Sequence, residues 1–153
     1  MLSLSQESPL AADLRLLMTR HTADMHADTP PESIHMMDAG QLAQPGIAFF
    51  VLRDAGVPVA MGAIKSIDPT HAEIKSMHVL AEARGQGLSR RMLDHLTDAA
   101  RAAGHVRLSL ETGVQPTFVA ARALYAKAGF AECPPFAGYV DDPNSVFMTK
   151  LLA

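Results

Sequence analysis

Residues 77–104, M-H-V-L-A-E-A-R-G-Q-G-L-S-R-R-M-L-D-H-L-T-D-A-A-R-A-A-G, limit the fold more than any other stretch of the chain. They read as the end of a strand, a short turn with two glycines, and one amphipathic helix over residues 88–103. Leu88, Met92, Leu96, Ala99 and Ala103 recur at helical spacing as its expected buried stripe, with Arg91, Asp94, His95, Asp98 and Arg101 facing outward. Gly104 is a natural stop. The turn holds Arg84, Gly85, Gln86, Gly87, Leu88 and Ser89. Two glycines directly before a helix let the backbone approach a ligand with no Cβ in the way. The first N–H groups of the helix have no intrahelical partner, and its dipole adds partial positive charge, so a phosphate or pyrophosphate suits the position. The turn lacks the Lys-Ser/Thr ending of a Walker loop and the third glycine of a dinucleotide fingerprint. From these residues alone, a plain strand-to-helix connection reads as well.

The rest of the chain supplies a sheet for that helix. Ser8-Pro9 predicts a helix start, with Leu10, Leu14, Leu17, Met18, His21 and Met25 as its stripe and Thr29-Pro30-Pro31 as its end. Asp38 and Gln41 form an expected capping box for a short helix through Ala43. Residues 47–53, 57–67 and 71–79 read as an antiparallel meander with short turns, and Gly62 marks a bulge or a close backbone approach. Strict alternation in the third strand puts Glu73, Lys75, Met77 and Val79 on one face, and Ile74, Ser76 and His78 on the other. Residues 106–111 form the next strand, with Val106, Leu108 and Leu110 inward. Strand, helix and strand in this order favour a parallel pair with a right-handed crossover. A helix over 116–128 carries Phe118, Ala121, Leu124 and Tyr125, and Gly129 ends it. Strands near 130–133 and 146–152 close the chain around a polar loop with Tyr139, Asp141, Asp142, Pro143 and Asn144.

Two blocks of this pattern resemble the GNAT superfamily of acyl-CoA-dependent acetyltransferases. Arg84 and Gly87, after the strand end Met77-His78-Val79, resemble the family's core motif, with Ser89 where Gly or Ala is usual. A-R-A-L-Y-A-K-A-G-F, from Ala121 to Phe130, resembles its second signature, in the expected order and spacing. The likeness covers roughly residues 47–152, and the tail is similar to a bacterial subgroup with mostly undefined substrates. It implies one N-acetyltransferase domain over 1–153. The implied fold is α/β with a mixed, mostly antiparallel sheet, a parallel pair at the cofactor cleft and flanking helices. Acetyl-CoA is the implied cofactor. Its pyrophosphate would meet Arg84, Gly85, Gln86, Gly87, Leu88 and Ser89, and its pantetheine arm would meet free backbone around Met77, His78 and Val79. Tyr125 would protonate the departing thiolate; the alternative is a packed tyrosine with a satisfied hydroxyl. Glu73 or Glu111 would be the general base, directly or through water, or each would be a structural carboxylate. Many members carry Asn seven residues before the tyrosine; Phe118 stands there, so that cofactor contact is not implied.

The remaining features narrow the function classes. A net charge of −3 with no long basic run speaks against a nucleic-acid partner. One cysteine, Cys133, excludes an internal disulfide and a cysteine-rich metal site, and it has no activating neighbour. His21, His26 and His35 straddle a Pro-Pro break, so solvated or hydrogen-bonded histidines are expected and no metal site. No apolar run reaches the roughly 18 residues of a membrane span and no signal peptide is evident, which favours the cytoplasm. The expected activity is direct acetyl transfer to the primary amine of a small molecule. A non-catalytic acyl-CoA-binding module and a protein or peptide acetyltransferase are the alternatives. Asp24, Asp28, Glu32, Asp141 and Asp142 would suit a cationic acceptor where they converge. A homodimer is the assembly that the family resemblance suggests.

Overall fold

The computed structural model describes residues 1–152. Seven strands form one sheet in the order β1-β2-β3-β4-β5-β7-β6. They are β1 (Leu2–Gln6), β2 (Ile47–Asp54), β3 (Val57–Asp68), β4 (His71–Val79), β5 (Arg107–Gly113), β6 (Ala131–Cys133) and β7 (Ser145–Leu151). Four helices accompany them: α1 (Arg15–Asp28), α2 (Ala39–Leu42), α3 (Leu88–Ala102) and α4 (Val119–Lys127). Every neighbouring pair is antiparallel except β4 and β5, joined in parallel through α3. This is the mixed, mostly antiparallel sheet with one parallel pair that the sequence implied. Among the described residues no helix is long and apolar enough to cross a membrane.

The meander forms because β2 and β3 are apolar on both faces and are joined by the two-residue turn Ala55-Gly56. Both residues have positive φ, as the right-handed strand twist requires of so short a hairpin. Val51, Leu52, Ala60, Met61 and Ala63 are fully buried there. At Gly62 a Cβ would lie 3.0 Å from Leu96 Cδ1 and 3.1 Å from Met92 Cγ and Sδ. Glycine there lets α3 lie close against the sheet, and the pairing slips beside it, as the sequence suggested.

The amino terminus departs from its expected reading. Residues 2–6 add a strand to the free edge of β2, and Ser8-Pro9 does not start a helix. The Ser8 hydroxyl instead accepts from Leu10 N at 3.2 Å, a local turn that competes with helix, and Leu10 is exposed. A single helical turn at Ala12–Leu14 leads into α1. Arg53 braces this segment: its Nη2 donates to Glu7 at 2.7 Å and its Nη1 to Asp13 at 2.6 Å. Leu14, Leu17 and His21 are buried as the stripe predicted, and the capping box at Asp38 and Gln41 forms in full.

α3 lies flat on the sheet, so its buried face is wider than one stripe. Leu93, Thr97 and Ala100 join Leu88, Met92 and Leu96 inside, whereas Ala103 is exposed and Ala99 only partly covered. His95 is half-buried, its ring edge-on to Phe50 at 4.8 Å, rather than facing solvent. Val106 precedes β5 and is exposed, while Leu108 and Leu110 are buried as expected.

A bulge in β4 overturns the strict alternation expected of that strand. Lys75 pairs with Ala63 and His78 with Met61, so two residues of β4 oppose Gly62 alone, and Ser76 takes a φ of 56°. Paired residues share a face; Glu73 pairs with Lys65, Lys75 with Ala63 and His78 with Met61, and Lys65, Ala63 and Met61 alternate onto one face of β3. His78 therefore shares the face of Glu73 and Lys75, and Val79, paired with Ala60, moves to the other.

Candidate active site

β4 and β5 pair only at His71–Arg107, Ala72–Leu108 and Glu73–Ser109, and then diverge. The gap is a cleft of about 510 Å³ that runs from the turn before α3 to the far end of β5. Of the residues singled out in the sequence, Glu73, Met77, His78, Val79, Arg84, Gly85, Gly87, Leu88, Ser89, Glu111 and Tyr125 all line it; Gln86 does not.

At one end, Gly87 caps α3 in left-handed conformation, with φ +76°, and no side chain caps the helix. The N–H groups of Leu88, Ser89 and Arg90 therefore have no acceptor in the first turn. A Cβ on Gly85 or Gly87 would meet nothing within 4 Å, so the space before these donors is open. Open donors, a helix dipole and missing side chains together fit a pyrophosphate. The Arg84 guanidinium is engaged elsewhere. It donates to the Val79 carbonyl and to Asp24 Oδ2, each at 3.0 Å, and so ties the turn to β4 and α1.

Along the middle, the edge of β4 from Ile74 to Val79 has no strand partner on the β5 side. Ser76 Oγ, His78 Nε2 and Thr29 Oγ1 are buried in this wall without a hydrogen-bond partner. His21 of α1 packs on His78 with ring centroids 5.3 Å apart. Burial, reinforced by His78, pushes the His21 pKa down to about 4. Burial also lowers His78, against the opposing pull of Asp24. Tyr125 projects from α4 with its ring edge-on to Phe130 at 6.0 Å. Burial pushes its phenol up to about 12. Phe118, in the position where the family often has Asn, also lines the cleft and lies over Gly113.

The far end is polar and built from four separate segments. Glu73 is 3% exposed, and its Oε2 accepts from Tyr139 Oη at 2.6 Å and Lys75 Nζ at 3.4 Å. Lys75 also donates to Tyr139 Oη at 2.8 Å and to the His35 carbonyl at 2.9 Å. Burial and the Glu73 carboxylate hold the Tyr139 phenol well above its ordinary range. Glu111 faces His35 Nδ1 at 2.7 Å through Oε2 and accepts from Ser145 Oγ at 2.8 Å. Sequence reading found the two carboxylates but not Lys75, His35, Tyr139 and Ser145 as their partners. Lys75 had a signal in its two-residue spacing from Glu73; Tyr139 had none, because a loop brings it in. The acidic residues that would have suited a cationic acceptor on converging do not converge: Asp24 lines the cleft, Asp28 bonds Thr117, Glu32 and Asp141 are exposed, and Asp142 holds Asn144 N.

Residues 14–130 match the family model described as acetyltransferase (GNAT) family. The uncharacterized N-acetyltransferase YsnE of Bacillus subtilis (strain 168) is 43% identical over 89% of this chain and 90% of its own length. A protein of Azospirillum brasilense named IAA acetyltransferase is 44% identical over 98% of this chain and 97% of its own. In structure, a Klebsiella pneumoniae protein assigned as an acyl-CoA N-acyltransferase superposes with a TM-score of 0.82 at 28% identity, covering 100% of this chain and 99% of that one.

Proposed function

The chain belongs to the acetyltransferase (GNAT) family, and from that premise we propose that it moves the acetyl group of acetyl-CoA directly to the primary amine of a small molecule. One observation carries this reading: a single cleft joins the open N-terminus of α3 to a buried carboxylate network, with Tyr125 in its wall. Acetyl-CoA supplies an acyl group already activated as a thioester.

The protein's part is to hold, orient and move protons. The N–H groups at the start of α3 receive the pyrophosphate, and the unpartnered edge of β4 receives the pantetheine arm as a further strand would. A backbone N–H near Val79 steadies the carbonyl oxygen as charge develops on it. Tyr125 keeps its proton at neutral pH, since burial holds its phenol at about 12. That also makes it a weaker acid than a thiol. It therefore gives its proton to sulfur as the carbon–sulfur bond breaks and recovers one from the reacting amine, so no phenolate accumulates. Glu73 is tied to Lys75 and Tyr139, and Glu111 to His35 and Ser145. Lys75 offsets the charge of Glu73, so the Glu111 carboxylate is the negative group that favours a cationic amine, and the surrounding donors keep both carboxylates in place.

The reading is tested by incubating the protein with acetyl-CoA and a panel of primary alkylamines, following thiol release and identifying the N-acetyl product by mass. Acetyl-CoA that binds tightly while no amine is acetylated would instead make the protein a binding module.

A further inference from the structure

We infer that His35, oriented by Glu111, is the base that removes the proton from the acceptor amine. The inference rests on the amine-acetylation reading and deepens it. His35 lies between α1 and α2, in a segment that contributes nothing to the sheet, yet its ring reaches the end of β5. Its Nδ1 lies 2.7 Å from Oε2 and 2.9 Å from Oε1 of Glu111. An ionised carboxylate only accepts, so Nδ1 carries the hydrogen, and the neutral ring keeps its lone pair on Nε2. Nε2 has no hydrogen-bond partner among the described residues and is not one of the buried unpartnered atoms. The ring lines the cleft with its side chain 34% exposed, so Nε2 is open.

The surroundings fix this geometry at three points. Ser145 Oγ donates to Glu111 at 2.8 Å and holds the carboxylate. Lys75 Nζ donates to the His35 carbonyl at 2.9 Å and holds the backbone. The Tyr139 ring packs on the imidazole with centroids 5.3 Å apart. Glu73, by contrast, is almost wholly buried and takes two donors, which leaves it poorly placed to meet a substrate. The charged and titratable groups around His35 are Glu111 of β5, Lys75 and Glu73 of β4, and Tyr139 and Asp142 of the loop before β7. In the step, an N–H bond of the ammonium breaks, its electron pair stays on nitrogen as the attacking lone pair, and the proton goes to Nε2 and then to solvent. Glu111 steadies the imidazolium that forms.

Two measurements test this. Long-range proton–nitrogen spectra of the imidazoles, with His35 assigned by its loss in His35→Asn, report the tautomer. A neutral ring protonated on Nδ1 is expected; a neutral ring protonated on Nε2 overturns the inference whether or not turnover is seen. The second uses His35→Asn, whose amide keeps a donor toward Glu111 but has nothing at Nε2. With 2-phenylethylamine, kcat near pH 7 should fall on the order of 100-fold and recover as pH rises. With hydroxylamine, which is mostly unprotonated near neutrality, the rate should be little changed, and acetyl-CoA affinity should hold. Equal losses with both acceptors, or no loss with the alkylamine, refute a base role. Failure of the acetyltransferase reading would show separately, as no N-acetyl product from the unaltered protein.

Discussion

Replacing Gly87 with alanine separates the proposed cofactor role of the glycine turn from its structural role. Gly87 has φ +76° and an open space where a Cβ would go. In the free protein the only cost is therefore the left-handed backbone, about 1–2 kcal/mol for a residue with a side chain. Gly56, in the β2–β3 hairpin, has φ +85° and equally open space. Gly56→Ala should thus lose the same stability, far from the cleft. The variants part when a pyrophosphate approaches. A methyl on Gly87 stands in the path to the N–H groups of Leu88, Ser89 and Arg90, and losing one hydrogen bond to a charged group costs about 1.5–3 kcal/mol. That corresponds to roughly a 10- to 150-fold weaker Kd. Urea denaturation and calorimetric titration with acetyl-CoA, run on the unaltered protein and both variants, read the two effects. Equal stability losses with weakened binding in Gly87→Ala alone are expected. Unchanged affinity in Gly87→Ala, or an equal drop in Gly56→Ala, would refute the assignment of the turn to the pyrophosphate.

Three further outcomes follow from the packing. Tyr125→Phe removes a hydroxyl with no hydrogen-bond partner among the described residues, so it should lower kcat by about 100-fold or more in the thiol-release assay while acetyl-CoA affinity, by calorimetry, stays level. His21 folds with its pKa lowered from 6.5 to about 4, so its contribution is fully present above pH 6.5 and is lost as pH falls toward 4, amounting to roughly 3 kcal/mol; urea midpoints between pH 7 and 4 should fall more steeply than in His21→Gln, and parallel profiles would contradict the burial argument. Gly62→Ala presses a methyl to about 3 Å from Leu96 and Met92; it should cost about 1–3 kcal/mol in urea denaturation, and an unchanged midpoint would show that α3 shifts freely.

The meander, α3 and α4 were legible because each carries a local pattern: apolar runs between turn residues, a helical apolar face, and a glycine just past α3 and α4. The turn was legible as a strand-to-helix connection from its two glycines, and its tie to a pyrophosphate came only with the family resemblance. β1 was not, since Leu2–Gln6 is short and its pairing with β2 is recorded only in the partner strand. The phase of β4 was lost at Ser76, whose positive φ has no signature in a serine. At the site, Glu73, Glu111 and Tyr125 were visible as residue types at the ends or faces of predicted elements. Their partners were not: His35 and Tyr139 come from irregular segments 40 and 64 residues from Lys75, the residue that bonds both. Such closures depend on how loops settle over a finished sheet.

The parting of β4 and β5 also makes the cleft a line of mechanical weakness. The strands share only the positions from His71 to Glu73 on one side and Arg107 to Ser109 on the other. Beyond them the sheet is two blades, β1 to β4 and β5 to β7, facing each other across a slot. A ligand in that slot acts as mortar as well as reactant, because free energy gained by binding the folded state alone adds to its stability by mass action. Cohesion then rises and falls with occupancy, and a substitution that welded the blades together would harden the protein by closing the way in.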